Sequence, residues 1–93
     1  MPSFMTRIEL HDASYDEYQV LHRAMEAEGF ERTITSDDGV TYHLPTAEYY
    51  RTVELTRQQV LEAAKRAAAK TGKRFGAIVT ESRGSTWNGL DKA

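Results

Sequence analysis

The chain contains no cysteine. Disulfide staples, thiol nucleophiles and cysteine-held zinc are excluded, and a reducing cytoplasm is the expected compartment. Proline occurs twice and glycine six times in 93 residues, too few for a collagen-like, linker or low-complexity chain. No apolar run approaches the roughly 18 residues of a membrane-spanning helix, so no membrane partner is expected. The segment Met1-Pro2-Ser3-Phe4-Met5-Thr6-Arg7 lacks the apolar stretch of a signal peptide. Phosphate-cradling glycine loops, a nucleophile elbow and the dinucleotide fingerprint are missing too, and no cofactor is expected. The histidines His11, His22 and His43 and the acids Asp12, Asp37, Asp38 and Glu48 show no metal-ligand spacing, so no metal is expected either.

What is present is an ordinary globular mixture, 40% apolar and 28% charged. A chain of this length makes one domain and buries about 60–65% of its unfolded surface. The net charge of −2 conceals an asymmetry. Residues 1–56 carry four Arg and eleven acids; residues 57–93 carry eight Lys or Arg and three acids. A basic C-terminal half suits phosphates and an acidic N-terminal half suits a basic partner, although mixed helix faces alone produce such a split.

Periodicity gives the elements. Phe4, Thr6, Ile8 and Leu10 alternate with Met5, Arg7, Glu9 and His11, the period of a half-buried strand. Ser14-Tyr15-Asp16-Glu17 is a capping box, Tyr18, Leu21 and Met25 follow at helical spacing, and Gly29-Phe30 ends the helix. Asp37-Asp38-Gly39 marks a turn between a β-rich segment ending at Ser36 and a short strand over 40–44. A second capping box, Thr56-Arg57-Gln58-Gln59, opens an alanine-striped helix closed by Gly72. The expected strands lie near 4–11, 31–36, 47–54 and 74–80, and the helices near 15–28 and 57–71. The order β-α-β-β-α-β predicts an α+β, ferredoxin-like sandwich over residues 1–81, a four-stranded antiparallel sheet with both helices on one face. Residues 82–93 are a polar tail in which Thr86-Trp87 reads as a short extra strand.

Three constellations could carry chemistry. The first is His11-Asp12 at the end of the first strand, with His22 and Arg23 on the first helix: imidazoles that titrate near neutrality, an orienting carboxylate and a phosphate-holding guanidinium. The second is the sheet face without helices, where Arg7 projects and, depending on register, Tyr50, or Tyr49 and Arg51, join it as a surface for stacking single-stranded bases. The third is the basic set Arg57, Lys65, Arg66, Lys70, Lys73 and Arg74, able to meet phosphates. Lys73-Arg74-Phe75-Gly76-Ala77-Ile78-Val79 imitates an RNA-recognition peptide, but that peptide belongs on the third strand and this segment is the fourth. Ile78 on the bare face and Trp87 in the tail are the expected contacts of a homodimer.

The strand ending in Asp12, then Tyr15, Leu21, Met25, Gly29-Phe30, Ile34, Asp37-Asp38-Gly39, Leu44, the strand at Tyr49–Val53 and the helix entered near Thr56 resemble the small GhoS-type antitoxins of type V toxin–antitoxin systems. Those are similar in fold to small CRISPR-associated ferredoxin-like nucleases. The resemblance implies a cytoplasmic endoribonuclease acting on a toxin mRNA, with Asp12 at the matching strand end; no DNA is expected. His22 stands where the family carries a basic helix residue, and Tyr42-His43 and the tail have no counterpart. Two readings stay open beside it: a non-catalytic, homodimeric interaction module, and a dimeric α+β barrel that binds a small molecule.

Overall fold

Ser3–Leu10 forms the central strand, β1, because its alternating residues have somewhere to go: Phe4, Thr6, Ile8 and Leu10 are buried, whereas Arg7 and Glu9 are exposed. In the computed structural model, which describes all 93 residues, six further elements follow: α1 Tyr15–Ala27, β2 Thr33–Thr35, β3 Thr41–His43, β4 Glu48–Thr52, α2 Arg57–Ala69 and β5 Phe75–Ser82. The protein is a small α+β fold of two helices and antiparallel strands.

Both helices start at the capping boxes. The Ser14 hydroxyl accepts the Glu17 N–H at 3.3 Å while the Glu17 carboxylate accepts the Ser14 N–H at 2.8 Å. Thr56 and Gln59 repeat the arrangement at 3.1 and 2.9 Å. Each box satisfies two N–H groups that a helix start would otherwise leave bare. At the end of α1, Gly29 takes φ +96°. The Phe30 N–H then reaches the Met25 carbonyl and the Gly29 N–H the Glu26 carbonyl, both at 3.0 Å. This is a Schellman stop, with Phe30 and Met25 buried as its apolar contact.

The sheet order is β4-β1-β5, all antiparallel. Thr6 stands opposite Tyr49 and Val79, so the face of β1 that holds Phe4, Ile8 and Leu10 continues through Tyr49 on one side and Phe75, Ala77 and Val79 on the other. Leu21, Ala24 and Met25 of α1 and Val60, Ala63, Ala64, Ala67 and Ala68 of α2 join this face in one core cluster. The alanines let α2 lie close to β1, β5 and α1.

The expected single four-stranded sheet is divided. β2 pairs with β3 in a separate hairpin, Thr33 opposite His43 and Thr35 opposite Thr41. Its link to the main sheet is one bridge, in which Glu31 and Tyr50 exchange two backbone bonds of 2.8 Å. The chain bends at Arg32, between the bridge and β2; the Arg32 carbonyl and the Ser36 N–H bond the β3 side, at Leu44 and Val40, while the Glu31 groups face β4. The strand expected at 47–54 ends at Thr52, and the Val53 N–H bonds Pro2 instead.

The tail is also placed differently. Thr86-Trp87 forms no strand. The last residues add to the outer side of the hairpin: the His43 N–H donates to the Asp91 carbonyl at 2.8 Å, and the Ala93 N–H to the Thr41 carbonyl at 3.0 Å.

Candidate functional site

The register assigns every side chain of the helix-free face. Ser3, Met5, Arg7 and Glu9 of β1 lie between Glu48, Tyr50 and Thr52 of β4 and Gly76, Ile78, Thr80 and Ser82 of β5. At one end the ladder gains a step, because the His11 N–H donates to the Arg74 carbonyl at 2.9 Å. This bond sets His11 opposite Arg74 at the end of the face, one step beyond both strands, and both residues are exposed. Asp12, next in the chain, turns away in the left-handed region at φ +52°, a conformation its short polar side chain tolerates. Arg7 sits midway, 3.8 Å from Glu48 and mostly in solvent, where such a pair contributes little and leaves the guanidinium available.

The tail crosses the β4 side of this face. It leaves β5 at Ser82, passes over Met5 and Glu48, and docks on the hairpin, with the Trp87 ring 5.5 Å edge-on to Tyr42. Trp87 separates two clefts. One of about 410 Å³ lies under the tail, between Met5, Leu44, Glu48 and Leu90. The other, about 520 Å³, opens between the hairpin turn and the tail, bordered by Asp37, Asp38, Tyr42 and Arg83. Trp87 is half-buried, packed against Tyr42 of its own chain.

The candidate site residues separate into groups that do not meet. His22 is 3% exposed, and its Nδ1 lies 2.6 Å from the hydroxyl of Tyr49, itself fully buried. Burial pushes the His22 pKa down and the Tyr49 pKa up, because the interior penalises either charged form. Both groups are neutral near pH 7, and His22 stands inside the core as a packing residue, away from His11 and Asp12. This corrects its expected catalytic role and the expected stacking role of Tyr49, whose ring packs edge-on to Phe30 at 6.5 Å. Arg51 shares the Tyr49 side of β4, and its guanidinium lies 5.5 Å over the Phe30 ring. Gly29 makes room for it: a Cβ there would come within 3.0 Å of the guanidinium carbon. Of the β4 candidates, only Tyr50 looks out from the helix-free face.

Arg66 and Lys70 belong to the helix layer, on the opposite side of the molecule. Arg66 holds Glu28 of α1 at 3.1 Å, a bond that keeps the Glu28 carboxyl below its usual range. Arg23 is exposed on α1. Ile78 remains 63% exposed on the helix-free face.

Two pairings escaped the sequence reading, Arg74 with His11 and Tyr42 with Trp87. Arg74 had a usable signal, since the alternation of Phe75, Ala77 and Val79 extends back to place it beside His11. Tyr42 as the partner of Trp87 had none: the two are far apart in the chain, and only the fold joins them. No three His, Asp or Glu side chains gather into a metal-holding group, and no helix is long and apolar enough to cross a membrane. No protein-family model matches the chain, and no curated protein matches it.

Proposed function

We propose that this is an RNA-directed protein of the GhoS type, acting in the cytoplasm, which lays a single-stranded stretch of mRNA across its helix-free sheet face. With the Glu31–Tyr50 bridge counted as the fourth strand position, the order β2-β4-β1-β5 is that of a ferredoxin-like sandwich, whose open face is a known kind of platform for single strands. The observation that carries the reading is the corner formed by His11 and Arg74 on the same face as Arg7 and Tyr50. Arg7 and Arg74 meet phosphates, Tyr50 offers a ring for a base, and His11 is the one exposed imidazole on the face.

The chemistry open to this corner is attack of a ribose 2′-oxygen on its own phosphate. His11 in its neutral form takes the 2′-OH proton, the 2′-O–P bond forms, the P–O5′ bond breaks, and a 2′,3′-cyclic phosphate and a 5′-hydroxyl end result. The two arginines stabilise the charge that builds on the phosphate oxygens. With His22 in the core, the corner has one imidazole, so the leaving 5′-oxygen draws its proton from water and cleavage is slow beside that of a two-histidine site.

Mixed-sequence single-stranded RNA titrated into the purified protein tests this, with cleavage followed by gel in the presence and absence of EDTA. Binding that weakens with salt, cleavage indifferent to EDTA, and loss of cleavage with retained binding in His11→Ala are the expected results. Absence of RNA binding even at low salt overturns the reading; cleavage that needs a divalent cation overturns the mechanism.

A further inference from the structure

The two edges of the sheet are treated unequally. Beyond β4 the chain continues the sheet with the Glu31–Tyr50 bridge and then the hairpin. Beyond β5 there is nothing: its eight residues pair with β1 alone. Natural edge strands are blunted by shortness, charge, proline or a bulge. This one is long, and Phe75-Gly76-Ala77-Ile78-Val79-Thr80 carries no charge and no proline. Its register against β1 runs unbroken from Leu10–Phe75 to Ser3–Ser82, without a bulge. Along the same edge runs a groove of about 580 Å³ between the start of α2 and mid-β5, where Leu61, Ala77, Ile78 and Val79 meet Thr56 and Arg57.

The geometry points to a second copy of this chain as the occupant, joined β5 to β5 in antiparallel fashion about a two-fold axis through Ala77. Residues directly opposite in an antiparallel pair share a sheet face, so the axis must pass through a residue. The three central choices differ in charge and apolarity. An axis at Ile78 sets Lys73 against Arg83 of the partner subunit and Phe75 against Glu81 of the partner subunit. An axis at Val79 sets Phe75 against Arg83 of the partner subunit and Ala77 against Glu81 of the partner subunit.

The axis at Ala77 instead pairs Phe75 with Val79 of the partner subunit on the helix side, and at each end sets Lys73, which also holds Glu17 of its own chain at 3.2 Å, opposite Glu81 of the partner subunit. On the helix-free side it lays Ile78 over Gly76 of the partner subunit. The exposed Ile78 thus gains a cover, and the half-buried Phe75, Ala77 and Val79 are closed off. Cross-strand apolar pairs and opposite charges favour this register, while the like charges of the Ile78 register oppose it. The pairing is isologous and closes at two copies.

The result is one sheet running through both chains. It brings two His11–Arg74 corners onto one continuous face, about 20 Å apart along the strands, from six residues at about 3.3 Å each. The pairing stands whether or not that face binds RNA.

Sedimentation over a wide range of protein concentration tests it, with circular dichroism confirming that each variant is folded. The wild type is expected to dimerise reversibly. Ile78→Lys changes an exposed residue and is expected to give a folded monomer. Glu81→Lys sets Lys against Lys73 of the partner subunit at two symmetric places and is expected to weaken the dimer roughly tenfold or more. Lys73→Glu combined with Glu81→Lys restores the attraction and the dimer. Emission from Trp87, which sits on its own hairpin, is expected to stay constant through dissociation. A monomer at every concentration overturns the proposal. So does a dimer indifferent to Ile78→Lys, failure of the double exchange to rescue, or a Trp87 emission that shifts on dilution.

Discussion

The two faces of the sheet put the same residue types to opposite uses. Under the helices, His22, Tyr49, Thr6 and Arg51 are absorbed into packing: His22 and Tyr49 bond each other, and Arg51 lies on Phe30. Across the sheet, His11, Tyr50, Arg7 and Arg74 have no helix above them. A histidine is exposed on one face and spent on structure on the other: strand alternation sets His11 and separates Tyr50 from Tyr49, while His22 is buried by its place on the inner side of α1. Residue type therefore says little about role until the face is known.

The comparison breaks hardest at the core. Leu21 is fully buried, and Leu21→Ala is expected to cost about 2–5 kcal/mol. In a denaturant titration the midpoint should fall with an unchanged slope, and RNA affinity should hold wherever the variant is still folded.

The His22–Tyr49 pair comes next. Tyr49→Phe leaves the buried Nδ1 of His22 without a partner and is expected to cost about 1–3 kcal/mol. The pair also gives the helix side a pH signature. Burial holds the pKa of His22 below its ordinary 6.5 in the folded chain. The unfolded chain therefore binds the extra proton first. Stability is full above about pH 6.5 and falls as the pH drops below it, by at most about 1.4 kcal/mol per pH unit. His22→Phe should flatten this limb of a stability-against-pH curve, and His11→Ala should leave it in place.

The smallest effect has the opposite sign. The Thr6 hydroxyl is buried with no hydrogen-bond partner. Thr6→Val keeps the shape and removes the unsatisfied group, so a gain of about 1 kcal/mol in a thermal or denaturant melt is expected. A loss there would mean that the hydroxyl has a partner in solution.

Much of the frame was legible because its signals are local. The alternation of Phe4–His11, the two capping boxes and the stop at Gly29-Phe30 each act within a few residues; both helices start directly after their caps, and β1 lies one residue from its expected bounds. Tyr49-Tyr50-Arg51 was not legible, since either tyrosine suits either face. Its orientation is set by Thr6 standing opposite Tyr49, a contact more than forty residues away in the chain. The Asp37-Asp38-Gly39 turn announced a hairpin, yet whether that hairpin extends the main sheet or leaves it depends on the bend at Arg32, which lies between the Glu31–Tyr50 bridge and β2 and has no local signal. The docking of residues 91–93 on β3 is likewise non-local, and the lone Trp87 signalled only that something must cover it.

The central claim, that the helix-free face is the one that meets RNA, is tested most directly by backbone and side-chain NMR during a titration with short single-stranded RNA. Shifts should concentrate at Arg7, His11, Tyr50 and Arg74, with Arg23, Arg66 and Lys70 silent. Shifts centred on the helix layer, or none anywhere at low salt, would contradict it.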